Sequence, residues 1–183
     1  MDFFEAIDSL LFNRIVLFLR QREALKLAGL SASWPDIVSM HVRRLCITPS
    51  TPMSAVVVAA DGFHRLRELV FDGEQGCPDF MFWEVAKSLL ETLLKRPLEK
   101  ITLRFLTLQG SLAERRAQVM LLQSFFHALP GCSSLHHLSL EHVALGGEHV
   151  ALEWIRDSLR KLSQTSGLST LCFSNCNLGP SGL

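Results

Sequence analysis

Four histidines, His136, His137, His142 and His149, fall within 14 residues of one another, with Glu141 and Glu148 among them. Imidazole and carboxylate are the donors from which zinc sites are built. On an extended strand, His137 and Glu141 point to the same side, as a pair of ligands must. The spacing follows no zinc signature, and polar side chains are equally what the exposed side of a strand carries. Cys172 and Cys176 form the only close pair among five scattered cysteines, and no Cys-x-x-Cys occurs. Gly146-Gly147 is a lone glycine pair that a turn into a helix explains, and no His-Glu-x-x-His is present. The chain therefore offers no catalytic constellation. The expectation is a protein that is not an enzyme, with no metal and no cofactor.

Composition narrows the partners. The chain has 183 residues, is 48% hydrophobic and has a formal net charge of zero. That is enough apolar content for a sizeable core, and it supplies no global field to attract nucleic acid or an anionic membrane. The basic runs, His41-Val-Arg43-Arg44 and Arg115-Arg116, are short, and the second reads as a solvated helix face. Asp2, Glu5 and Asp8 precede any base, which argues against a secretory signal or a mitochondrial presequence. The apolar stretch from Leu10 to Leu19 is broken by Asn13-Arg14, so it does not read as a membrane span. Scattered cysteines in odd number fit a reducing compartment, so an intracellular location, cytoplasmic or nuclear, is expected.

The elements that must position these residues follow from a recurring apolar pattern. Leu98-x-x-Ile101-x-Leu103-x-x-Leu106-x-Leu108 returns as Leu135-x-x-Leu138-x-Leu140-x-x-Val143-x-Leu145 and again as Leu168-x-x-Leu171-x-Phe173-x-x-Cys176-x-Leu178. Leu66-x-x-Leu69-x-Phe71 is an incomplete copy, and Val42-x-x-Leu45-x-Ile47 a fainter one. Each copy fits a strand that turns into a loop. A lone strand of this kind cannot bury its apolar side, whereas stacked copies bury one another, which predicts a solenoid. Ile101, Leu138 and Leu171 are expected to stack, buried, in adjacent parallel strands.

Between the copies lie helical patterns. Phe80, Trp83, Ala86, Leu90 and Leu93 recur at helical spacing before Pro97. Ser111-x-x-Glu114 is a capping-box signature ahead of Ala117, Met120, Leu121, Phe125 and Ala128. Ala151, Trp154, Ile155, Leu159 and Leu162 make a third stripe, followed by Gly167. The fold class is thus α/β, a solenoid with parallel strands inside and helices outside. Counting from the first leucine of each copy, offsets 2, 4 and 6 point away from the core and line a concave face. They are Glu68, Val70 and Asp72; Lys100, Thr102 and Arg104; His137, Ser139 and Glu141; and Thr170, Cys172 and Ser174. Glu68, Asp72, Lys100, Arg104, His137 and Glu141 are the candidate partner-binding residues, a mixed-charge row suited to a polar protein partner or to plain solvent.

The final copy, Leu168-Ser-Thr-Leu171-Cys-Phe173-Ser-Asn-Cys176-Asn-Leu178-Gly179, resembles leucine-rich repeats of the ribonuclease-inhibitor type. In that family the position of Cys176 is commonly Asn or Cys, and its side chain bonds loop backbone. The resemblance implies a structural role for Cys176, lying in the loop while Cys172 faces the concave side. From Leu66 to Leu98, Leu98 to Leu135 and Leu135 to Leu168 are 32, 37 and 33 residues. Leucine-rich repeats run about 20–29 residues, so extended helices or inserted loops are implied. In such a repeat Gly182-Leu183 would open another helix, which implies a solenoid incomplete at its C-terminus.

Residues 1–41 do not follow the repeat and read as a small helical module. Ile7, Leu11, Ile15, Phe18 and Leu19 form one apolar stripe, Leu25, Leu27 and Leu30 a second. This stretch resembles an F-box. Leu11-Phe12 stands at that family's central apolar pair, Ile15-Val16 at the next and Leu19 at the last. Arg20-Gln-Arg-Glu23 is the polar bend and Ser31-x-x-Trp34 the closing motif. The family's opening Leu-Pro is replaced by Ile7-Asp8, and its acidic position by Leu10. The resemblance implies that Leu11, Phe12, Ile15, Phe18, Leu19 and Trp34 meet a Skp-type adaptor. A helical cap shielding the first repeat is the other reading of the same residues. The organisation is then an F-box-like module or cap over 1–41 and a leucine-rich-repeat solenoid over 42–183. That order resembles the substrate-recognition subunits of Skp–cullin–F-box-type ubiquitin ligases. A structural subunit of a large stable assembly and a wrapping enzyme inhibitor are the alternatives. All three are protein-binding roles, without nucleic acid and without membrane.

Overall fold

The structure is a computed structural model, and it describes residues 42–51, 53–73, 80–145 and 152–177. They form an α/β fold around one parallel sheet of five strands. The strands are β1 (Arg44–Ile47), β2 (Glu68–Asp72), β3 (Lys100–Arg104), β4 (His137–Glu141) and β5 (Thr170–Ser174). They lie side by side in chain order. Parallel neighbours require a crossover, and each crossover here is helical. The helices are α1 (Met53–Ala59), α2 (Phe80–Leu93), α3 (Leu112–Ala128) and α4 (Leu152–Thr165). Consecutive helices pack on one another. No described helix is long and apolar enough to cross a membrane. The module expected over 1–41, with Leu11, Phe12, Ile15, Phe18, Leu19 and Trp34, lies outside the described residues.

The apolar pattern and the hydrogen-bonded register coincide. Leu69 pairs with Ile101, Ile101 with Leu138, and Leu138 with Leu171. Leu45 opens the same row opposite Leu69, so the faint first copy is a strand too. Junctions recur with the register. The carbonyls of Arg67, Glu99 and His136 each accept two N–H groups from the next strand's start, at 2.7–3.1 Å. At the far ends, the N–H groups of Gly73, Phe105 and His142 donate to the carbonyls of Arg104, Glu141 and Ser174, at 2.8–3.0 Å. Phe105, His142 and Asn175 take left-handed backbone with φ of 52–55°, where each strand breaks away into its loop. Gly73 holds the equivalent place in the first full turn. A Cβ there would sit 2.5 Å from the Phe105 carbonyl oxygen, so glycine admits the next loop.

One continuous core joins the odd-offset side chains of the strands to the helices. Leu69, Phe71, Ile101, Leu103, Leu138 and Leu140 are fully buried against Trp83, Ala86, Leu90, Leu121, Phe125 and Ile155. Phe82 and Trp83 meet edge to face with centroids 5.1 Å apart, and both lie beside Phe71. Trp83 is core, as its helical spacing predicts. The α3 capping box forms in full: the Ser111 hydroxyl accepts from the Glu114 N–H, and the Glu114 carboxylate accepts from the Ser111 N–H. The loop before it bends through Leu108 (φ 54°) and Gly110 (φ 104°). Buried Gln118 holds that bend, accepting from the Leu108 N–H at 2.9 Å and donating to the Gln109 carbonyl at 3.1 Å.

Leu171 corrects the expectation for its row. It stacks where the pattern puts it but is 43% exposed, while Ile101 and Leu138 are closed to solvent. Among the described residues β5 has a strand on one side only, so half of the cover that buries Leu138 is missing there.

Candidate interaction surface

The even-offset residues occupy the sheet face opposite the helices, in three rows fixed by strand register. One outer row runs Arg44, Glu68, Lys100, His137, Thr170; the other runs Asp72, Arg104, Glu141, Ser174. Neighbours in a row sit one strand spacing apart, close enough for direct contact between long side chains. Glu68 bridges Arg44 (Nε to Oε2, 3.6 Å) and Lys100 (Nζ to Oε1, 3.3 Å). Arg104 meets Glu141 through Nε at 2.7 Å and, more loosely, through Nη2 at 3.5 Å. The Ser139 hydroxyl donates to the same carboxylate at 3.1 Å. Five of the six candidate partner-binding residues thus interact within their own surface, or, for Asp72, with another group of the chain. His137 is half-buried beside Lys100.

One expectation about this face is corrected. The middle row, Val70, Thr102 and Ser139, was expected to line the open surface, yet each is 3–4% exposed. Over β2, β3 and β4 the floor is thus small and closed, and the two charged rims offer contact; at β5 the row ends in exposed Cys172. The rims form the mixed-charge row, and opposite charges alternate along them in direct contact. Such exposed pairs contribute about 0–1 kcal/mol each. Their effect is to order the face. The sign alternation Arg44, Glu68, Lys100 becomes visible in the sequence only once the register is known.

The histidine cluster disperses. His136 turns sideways, its Nδ1 3.2 Å from the Gly167 carbonyl oxygen. His137 stays on the sheet face. His142 lies at the strand end, stacked on Phe105 with ring centroids 4.9 Å apart and planes 13° from parallel, and 3.3 Å from Asn175 Nδ2. His149 and Glu148 lie outside the described residues. No three His, Cys, Asp or Glu side chains converge as metal ligands among the described residues.

The two cysteines diverge as expected. Cys172 is exposed on the even face of β5. Cys176 Sγ donates to the Leu140 carbonyl at 3.2 Å, tying the last loop to the preceding strand, and burial pushes its thiol above the ordinary range. Cys132, which sequence reasoning passed over, is buried and donates to the Leu94 carbonyl at 3.3 Å; burial pushes its thiol up to about 11. Both thiols are structural donors, poorly disposed to form the nucleophilic thiolate.

No protein-family model matches the chain, and no curated protein matches it.

Proposed function

We propose that the chain is a leucine-rich-repeat protein whose sheet face holds a protein partner. On this reading it is a substrate-recognition subunit of a Skp–cullin–F-box-type ubiquitin ligase. The observation that carries the protein-binding part is the sheet face itself: helices cover one side of the sheet, and the other presents two ordered, charge-alternating rims over a floor of small side chains. An ordered polar surface needs little rearrangement on binding and discriminates partners by charge register. The apolar pattern in register, with the Cys176 thiol bonded to backbone at the Leu140 carbonyl, supports the repeat-family reading. The ligase part rests on the F-box-like residues Leu11, Phe12, Ile15, Phe18, Leu19 and Trp34 ahead of the repeats. In this role the protein has no catalytic residue or cofactor of its own, and it works inside the cell.

The test is co-purification of the full chain with a Skp-type adaptor, beside a Leu11→Asp/Phe18→Asp variant. Adaptor capture by the parent chain, lost in a variant with unchanged circular dichroism, supports the ligase reading. A folded parent chain that captures no adaptor removes it. The exposed Leu171 favours a second reading, a structural subunit of a stable assembly, in which a neighbouring surface covers the outer edge of β5. Purification with a fixed set of subunits and no adaptor would select that reading.

A further inference from the structure

On the helix side, away from the sheet face, α2 and α3 leave an open groove of about 870 Å³. That volume is within the range of ligand-binding clefts. Leu112, Arg116 and Met120 follow one another at four-residue steps along α3, so they form one stripe. Leu112 is 70% exposed and Met120 37%, two of the few large apolar side chains that the described residues leave open. Arg115 and Ala113 line the groove with them, and Glu84 of α2 lines it from the other helix. The capping box holds the first turn of α3 in shape, so Leu112 is presented on ordered backbone.

The charges in this groove differ from those on the sheet. There, Arg44, Lys100 and Arg104 each have a carboxylate within 3.6 Å. Here, neither Arg115 nor Arg116 makes an ion pair or a side-chain hydrogen bond among the described residues. Two exposed apolar side chains with the Arg116 guanidinium between them and Arg115 beside them are complementary to an apolar stripe edged by carboxylates. We infer that this groove docks an acidic amphipathic helix of a protein partner, independently of whatever the sheet face binds. The helix would lay its apolar stripe between Leu112 and Met120, with its carboxylates toward Arg115 and Arg116. Methionine at one end adapts to side chains of different shape. Glu84 on the opposite wall sets polarity, because it repels a helix placed with its acidic side reversed. It also disfavours a phosphate backbone, which two arginines alone hold weakly. A concave groove receives a ridge, whereas a bilayer presents a flat surface.

The experiment measures fluorescence anisotropy of the full chain with a labelled helical peptide. The peptide carries leucines at i, i+3, i+4 and i+7 and glutamates along one flank. Controls are the same peptide with lysines for the glutamates, a DNA duplex, and phosphatidylserine vesicles. Saturable, salt-sensitive binding of the acidic peptide alone is expected. Arg115→Glu/Arg116→Glu should weaken it roughly tenfold or more, since two attractions become repulsions. The same variant should gain affinity for the lysine peptide, a result that misfolding cannot produce. Leu112→Ser, at an exposed position, should weaken the acidic peptide without changing circular dichroism. The inference is overturned by absence of saturable binding, by equal affinity for both peptides, or by binding indifferent to all three substitutions. It is also overturned if duplex or vesicles bind more tightly than the acidic peptide and lose that binding in the same variants.

Discussion

Strands β4 and β5 carry the same apolar pattern, pair in the same register and end in the same left-handed turn, yet they are very differently buried. Leu138 and Leu140 are sealed in the core; Leu171 and Phe173, at the matching positions, are not. Ser139 is closed, and Cys172 beside it is open. Pattern determines which way a side chain points. What covers it is determined by the neighbouring strand and helix, and β5 has such neighbours on one side only among the described residues.

The sharpest test of that contrast is a matched pair of truncations. Leu138→Ala should destabilise by about 2–5 kcal/mol through lost burial and a residual cavity. Leu171→Ala, half open already, should lose less than about 1 kcal/mol in the same denaturant titration. Leu138→Asp goes further: an unpaired buried carboxylate costs several kcal/mol, on the order of a domain's whole margin. Equal losses at Leu138 and Leu171 would mean that β5 is covered in solution.

Thiol chemistry divides along the same line. Cys132 precedes β4 and Cys172 lies on β5. Burial raises the folded pKa of Cys132 from 9.0 to about 11. The folded state thus holds this proton more tightly than the unfolded state. Its stabilisation is fully present below pH 9 and lost as pH rises from there toward 11. The loss amounts to at most about 3 kcal/mol for two pH units. A Cys132→Ala variant should lack this part of the alkaline slope in urea midpoints measured across that range. Iodoacetamide should label Cys172 in native protein well before Cys132.

Smaller effects are expected at the strand ends and rims. Gly73→Ala forces a Cβ against the Phe105 carbonyl and should cost about 1–3 kcal/mol by thermal melting. Glu141→Gln weakens the bridge to Arg104, which is 38% exposed on the arginine side. It should cost under about 1 kcal/mol. A double-mutant cycle with Arg104→Met would show whether the rim is coupled at all.

Much of this fold was legible because its signals are local. Offsets 3 and 5 recur with period two, so strand phase could be read directly, and Ser111 with Glu114 announced its helix. Helix α1 left no comparable signal. Its sequence Met53-Ser-Ala-Val-Val-Val-Ala59 holds a β-branched run that lowers helix propensity, and contacts with the neighbouring helix override it. The closed middle row escaped because strand alternation tells which face a side chain is on and not how far that face is covered. Arg115-Arg116 read as a solvated helix face, and both side chains are indeed exposed; that Glu84 of α2 lines the same groove was not legible from their own segment.

The strict chain order of the five strands also has a consequence for how the protein assembles. Each strand pairs only with the strands before and after it in the chain, so every closure event spans one strand–helix–strand connection. Loop-closure entropy grows only slowly with length, so each addition meets nearly the same entropic barrier. The sheet can then extend one strand at a time as the polypeptide emerges from synthesis, each new strand templated by the one before it. Unfolding should run the other way, fraying first from β5 while the tightly sealed centre around β3 holds.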